Sequence, residues 1–542
     1  MSRSNRAGLA GTLALVAAGA LSTIGFSTAQ AAIKEPLKLD SGQLGGSVES
    51  SPGVRVFRGI PFAAPPVGDL RWKAPAPVAK WDGVRDASKF GNVCIQPAGP
   101  TTGPQARLNI AVLPDSPPLS EDCLYLNVWT GAAAQNERRP VMVYFFGGAF
   151  TEGAGSVPLY DGDALARKGV VVVTMNYRLG PYGFFVHPAL TAESPHKASG
   201  NYGLMDMLAS LQWVKKNIAA FGGDPGNVTV FGQSAGAMAI ASLVASPEAK
   251  GLFRRAISQS GAWMGLGISP GMRTRAQAEE AGVKAAKEAG VETAAQLRAM
   301  STADVTAKFR SAGMIVDGWV IPEDPSAVFV SGRQNKVDVL VGSNKEESFF
   351  TAQVTPEQFE AQARMRWGDV ADEYLKLYPH STAAEAAQST AETFSDGVLW
   401  HMRLYADYQA KQGDRAYLFY FAQNPPAPAG QPKLPATHAS EVPYVFNNLG
   451  KLPLFPDRSI AELAAASAPD RKVADQMSSY WANFARSGDP NGGGLPKWAP
   501  HEPGKSQDAM ILDADPKSEK LPDPARLALL DKLWERQQHA AH

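Results

Sequence analysis

The sequence predicts an α/β protein built on a large, mostly parallel sheet covered by helices. Short β-branched apolar runs recur at residues 141–146, 170–174, 228–231 and 337–341, with weaker ones at 255–258 and 416–421. Runs of this length without polar alternation suit strands buried on both faces. Helical patterns lie between them, and such alternation argues for parallel strands joined by crossover helices. One run leads directly into Gly232-Gln233-Ser234-Ala235-Gly236, which places chemistry on this frame.

The elements follow in order. Residues 1–6 carry Arg3 and Arg6 and no acid, residues 8–26 are uncharged and largely apolar, and Ala29-Gln30-Ala31 is a small-x-small cleavage pattern. This is the layout of a secretory signal peptide. Residues 1–31 are expected to be removed, leaving 32–542 secreted or periplasmic. No later segment reaches about 18 apolar residues without a charge, so no membrane span is expected after cleavage. In an oxidising compartment the pair Cys94 and Cys123 reads as one disulfide closing a loop. It forms neither a CxxC redox motif nor a zinc site.

The run at 141–146 leads into Gly147-Gly148-Ala149, small residues that let the backbone curl. Leu204, Leu208, Leu211, Val214 and Ile218 form one helical stripe. Asp224-Pro225 is then expected to break the chain before strand 228–231. Ala-rich helical stretches at about 274–300 and 383–392 are expected as additions outside the sheet.

Composition bounds the function. The chain has 542 residues, 44% of them hydrophobic, so it can bury a large core and is not dominated by disorder. At about 150 residues per domain its length suggests three or four domains, a single large α/β domain being the main exception. The 52 basic residues balance 52 acidic ones, which argues against nucleic acid as a partner.

The G-x-S-x-G pattern alone is weak, since a chain like this yields it by chance about 0.3 times. A second match, Gly267-Ile268-Ser269-Pro270-Gly271, does occur. Context separates the two. The first match lies at a strand-turn-helix junction, where the turn holds the serine exposed and Ala235 offers an N–H to an oxyanion. In the second, Pro270 has no N–H and no strand precedes it. Ser234 is therefore the candidate nucleophile. A serine hydroxyl needs a general base, and in the chain order Ser, acid, His that base comes late. His380, His401, His438, His501, His539 and His542 are candidates, with His438 placed in a loop before the apolar stretch 442–446. The acid belongs just after a strand. Strand 337–341 precedes Asn344-Lys345-Glu346-Glu347, and pattern alone does not choose between Glu346 and Glu347. The glycine run after 141–146 is the candidate source of oxyanion donors.

Several further runs carry a resemblance: Phe57-Arg58-Gly59-Ile60-Pro61-Phe62-Ala63, Leu70-Arg71-Trp72, Ser120-Glu121-Asp122-Cys123-Leu124-Tyr125-Leu126-Asn127, Asn176-Tyr177-Arg178, Gly200-Asn201-Tyr202-Gly203-Leu204-Met205-Asp206, Phe221-Gly222-Gly223-Asp224-Pro225 and Gln259-Ser260-Gly261. Together with the serine turn, they make the chain similar to the type-B carboxylesterase and lipase family of α/β hydrolases, which includes the cholinesterases. The resemblance spans nearly all of 32–542 and implies one hydrolase domain, with helical insertions around an active-site gorge. It implies Ser234 as nucleophile, Glu347 as acid and His438 as base, the last preceding Glu441, Tyr444, Val445 and Phe446 of an E-x-x-Y-V-F run. It further implies oxyanion donors at Gly148, Ala149 and Ala235, the Cys94–Cys123 disulfide, and ion pairs Arg71–Glu121 and Arg178–Asp206.

The expected activity is serine-dependent hydrolysis of small, medium or bulky carboxylic esters, with no metal or cofactor and a monomeric state. A lipase, a fumonisin-type polyol tricarballylate esterase and an inactive adhesion homologue are the alternatives. Departures from the family narrow the substrate. Gln233 replaces the Glu that cholinesterases carry before the nucleophile. Residues 95–122 contain no Trp, so an aromatic cage for quaternary ammonium is not supported. Phe146 replaces a His or Tyr, Ala149 a third Gly, and Ser348 a Gly after the acid.

Overall fold

The computed structural model describes residues 33–97, 117–262, 271–348, 353–424, 435–449, 453–455, 458–459, 468–504 and 508–540. The expected signal peptide at 1–31 and Ser269 of the second serine motif lie outside them. The central sheet has eleven strands. In chain order they are β1 (Val48–Ser51), β2 (Val54–Pro61), β3 (Tyr125–Thr130), β4 (Arg139–Phe145), β5 (Val171–Met175), β6 (Gly223–Gln233), β7 (Arg255–Gln259), β8 (Asp338–Asn344), β9 (Ala416–Phe421), β10 (Asp508–Leu512) and β11 (Lys517–Lys520). Their spatial order is β11-β10-β9-β8-β7-β6-β4-β5-β3-β2-β1. Pairings from β5 through β10 are parallel. The strands at either edge are antiparallel.

The apolar runs become the parallel strands because each is covered on both faces. One lateral row, Val173, Val143, Val230, Ala256, Val339 and Ala416, crosses the middle of the sheet in register. Every member of it is buried. The helices that cover the sheet include α1 (Tyr202–Asn217), α2 (Ala235–Ala245), α3 (Arg275–Glu288), α4 (Ala383–Lys411), α5 (Ala468–Ser487) and α6 (Pro524–Ala540). One continuous apolar core runs from Ile33 to Trp534. This is the α/β-hydrolase architecture.

One expectation is corrected. Asp224-Pro225 does not break the chain. It lies inside β6, where a register shift between Gly223 and Val228 absorbs the proline. The stretch at 383–392 is helical and mostly exposed or half-exposed, as expected. It opens the 29-residue helix α4, which packs on β8 and β9. The parallel strands end on one edge, and Ser234, the turn after Phe145 and Glu347 all follow strand ends there. Ligand sites of open α/β sheets lie outside such carboxyl ends.

Candidate active site

Ser234 occupies the turn between β6 and α2 with φ 54° and ψ −122°. A residue with a side chain is strained in this region. Its neighbours make the turn possible. A Cβ on Gly232 would lie 2.6 Å from the carbonyl oxygen of Phe145, and one on Gly236 would collide with the same oxygen. The Ser234 N–H donates to the Gln259 carbonyl at the end of β7 at 2.9 Å. Because α2 begins at Ala235, the positive end of its dipole faces the turn.

The acid follows β8. Glu347 is fully buried. Its Oε1 accepts the Asn344 N–H at 2.6 Å, and its Oε2 lies 2.6 Å from His438 Nδ1. Its own N–H donates to Ser395 Oγ on α4 at 3.0 Å. Glu346 does something different. Its carboxylate accepts the Ala436 N–H at 3.0 Å and joins the acid loop to the histidine loop. Of the two acids the sequence left open, Glu347 is the one that faces the imidazole.

With the Nδ1 proton directed at Glu347, Nε2 of the neutral ring is an acceptor. The Gln233 amide nitrogen lies 3.0 Å from it. The residue before Ser234 thus touches the base. His401 lines a different cavity, with Phe359 and Trp400, while His542 and the side chain of His539 lie outside the described residues. His501 is buried with Nε2 2.7 Å from Asp407 Oδ1. His380 Nδ1 lies 2.9 Å from the Tyr378 carbonyl.

The glycine turn after β4 packs against the serine turn. A Cβ on Gly147 would lie 3.0 Å from the Ser234 Cβ. Gly148, Ala149 and Phe150 all take positive φ, at 111°, 53° and 62°. Among the described residues nothing accepts from the N–H groups of Gly148 or Ala149. The turn is braced from behind. Tyr177 stacks on Phe146 at 4.3 Å and its hydroxyl donates to the Phe146 carbonyl at 2.9 Å. Tyr177 belongs to a motif run, yet no sequence signal gives it this role. The same is true of Ser395, a serine in mid-helix.

Cys94 and Cys123 form a disulfide with Cα atoms 4.9 Å apart. Two residues on, the buried Gln96 grips Gly153 with both ends of its amide. Nε2 donates to the Gly153 carbonyl at 3.0 Å, and Oε1 accepts the Gly153 N–H at 2.9 Å. The staple is thereby joined to the segment after the glycine turn. Arg71 and Glu121 pair through two hydrogen bonds of 2.7 and 2.6 Å. Arg178 and Asp206 do the same at 2.9 and 2.7 Å.

Ala149, Ser234 and Ala235 line a cavity of about 1010 Å³ with Phe150, Met238, Met272 and Met314. The exposed residues Gln277, Glu280 and Lys284 of α3 complete it, so a helical insertion covers its mouth. No helix among the described residues is long and apolar enough to cross a membrane.

Comparison with known proteins places the chain in a family. The profile of the carboxylesterase family matches residues 34–529. The chain is 40% identical over 471 residues to a fumonisin B1 esterase from Sphingopyxis macrogoltabida, covering 84% of this chain and 83% of that one. It is 36% identical over 512 residues to a para-nitrobenzyl esterase from Bacillus subtilis (strain 168), covering 88% and 96%. A solved PNB esterase structure superposes with a TM-score of 0.76 at 32% identity, covering 91% and 99% of the two chains. A carboxylesterase from Geobacillus stearothermophilus gives 0.75 at 33% identity with the same coverage.

Proposed function

The chain belongs to the carboxylesterase family and hydrolyses carboxylic esters, and from that premise we propose that Ser234 is the nucleophile, His438 the general base and acid, and Glu347 the residue that orients the imidazole. The contact that carries the reading is the 2.6 Å approach of Glu347 Oε2 to His438 Nδ1, in a ring whose far side reaches the residue before Ser234.

His438 Nε2 takes the proton as Ser234 Oγ attacks the ester carbonyl. The N–H groups of Gly148, Ala149 and Ala235 receive the oxyanion. His438 returns the proton to the leaving alcohol, and the acyl group stays on Ser234. Water then attacks the acyl carbon, losing a proton to His438, and the bond to Ser234 Oγ breaks as His438 returns that proton to it, which releases the acid. Glu347 holds the Nδ1 proton throughout and stabilises the cationic ring.

The cavity favours medium to bulky esters. Methionine side chains on its walls are unbranched and adapt to different shapes. The named substrates of the fumonisin B1 and para-nitrobenzyl esterases are compatible with such a space. The mature protein is proposed to be exported and to act as a monomer.

A fluorophosphonate probe tests the nucleophile. It is expected to label the wild type once per chain and to leave Ser234→Ala unlabelled. An unlabelled wild type would sink the assignment. Rates across nitrophenyl esters of graded acyl length and bulky alcohols then define the substrate. A sharp rise above the solubility limit of a triglyceride would favour a lipase instead.

A further inference from the structure

Behind the catalytic groups, three buried polar side chains meet. Gln259 ends β7, Asn344 ends β8, and Glu441 lies just beyond His438; they are 1%, 0% and 0% exposed. Glu441 Oε1 accepts from Gln259 Nε2 at 2.9 Å, and Oε2 from Asn344 Nδ2 at 2.6 Å. The two strand ends also hold the catalytic loops. The Gln259 carbonyl takes the Ser234 N–H, and the Asn344 N–H binds Glu347. Asn344 Nδ2 further donates to the carbonyl of Thr437, next to His438, at 2.7 Å.

Both amide orientations are forced. The Trp481 indole can only donate, and it directs its N–H at Gln259 Oε1 at 3.2 Å. Gln259 must therefore turn its NH₂ to Glu441. The Thr437 carbonyl can only accept, so the Asn344 NH₂ serves it with one hydrogen and Glu441 with the other. Position 441 must accept at both ends. A carboxylate does so, whereas a glutamine would set one NH₂ against another. The site penalises a carboxylate, since burial and the nearby Glu347 charge push the Glu441 pKa up. An acid held where charge is disfavoured, by donors that cannot turn away, has a specific structural role.

We propose that Glu441 is a positioning residue whose two oxygens set the serine turn, the acid loop and the histidine loop in register with one another. The proposal rests on the assignment of Ser234, Glu347 and His438 given above. A loop displaced by about 1 Å costs on the order of 100-fold in rate.

The test compares Glu441→Gln with the exchanged pair Glu441→Gln, Gln259→Glu. In the pair, the new amide accepts from Asn344 and donates to the new carboxylate, which still accepts from Trp481. Thermal unfolding reports folding; kcat, KM and the rate of fluorophosphonate labelling report positioning. Glu441→Gln is expected to lower kcat and labelling about 10- to 100-fold with KM within about twofold, and the pair to recover about tenfold of that loss. Wild-type rates in Glu441→Gln would overturn the proposal. So would a folded pair no faster than the single variant. If Glu441→Gln does not fold, the pair decides: folded and active supports the proposal, while slow or unfolded overturns it. A wild type that takes no label removes the nucleophile assignment instead, a separate failure.

Discussion

Gln233 gives the imidazole a neutral neighbour on the side away from Glu347, 3.0 Å from Nε2. Among the described residues, the carboxylate that the ring meets directly is that of Glu347. Gln233→Glu would place a second beside it, and a nearby negative charge favours the protonated imidazole. The acid limb of the kcat/KM profile is expected to move to higher pH in this variant, with activity lost first at mildly acidic pH. A pH–rate profile on a neutral nitrophenyl ester checks this, and an unmoved limb would show that the residue-233 carboxylate does not sense the ring. At this scale the sequence was legible wherever chemistry demands a residue type. Ser234 stood at a strand-turn-helix junction and His438 ahead of a distinctive run. Glu346 and Glu347 could not be separated, because adjacent residues differ only in where the turn after β8 points them. Gln259, Asn344 and Glu441 sit in recognisable runs, but their mutual hydrogen bonds join residues far apart in the chain.

The helix α4 shows how an element can serve the site without touching substrate. Ser395 accepts the Glu347 N–H, and next to it Asp396 is half-buried against Tyr378 and Arg526. Burial, only partly offset by the Tyr378 hydrogen bond and the Arg526 charge, raises the Asp396 pKa to about 6. In the unfolded chain it is about 3.9. Between those values the folded state binds more protons, so this residue's contribution to stability falls as pH rises from about 4 through 6. Asp396→Asn removes that dependence. Its melting temperature relative to the wild type is expected to be higher at about pH 7.5 than at about pH 4.5; an equal difference at both pH values would count against the burial argument. Among the elements, β4 to β9 were legible because strands covered on both faces are continuous apolar runs. The antiparallel strands β1 to β3 were not, since polar residues interrupt them, exposed or half-exposed in β1 and buried in β3, where Asn127 and Thr130 lie. The length of α4 was hidden for a related reason. Its alanine-rich start reads as helix, but beyond Phe394 the aromatic and β-branched residues that pack on β8 and β9 mask the helical period.

Across the whole molecule, buried ion pairs fasten distant segments. Arg178 follows β5, reaches Asp206 in α1 and also donates to the Lys73 carbonyl at 2.8 Å. Its side chain is 4% exposed and that of Asp206 is not exposed at all. Arg178→Met would strand a buried carboxylate, at an expected cost of about 3–5 kcal/mol in a denaturant titration. A loss below about 1 kcal/mol would mean the pair behaves like an exposed one. The grip of Gln96 on Gly153 has a consequence of another kind. A chain that folds with both thiols reduced lacks the anchor beside Gln96, so the turn at Gly148 and Ala149, the candidate oxyanion donors, is expected to be held less firmly. Turnover per phosphonate-titrated serine is expected to be lower in thiol-treated enzyme and to return on reoxidation. The covalent link thus ties catalytic output to the redox conditions under which the polypeptide folded.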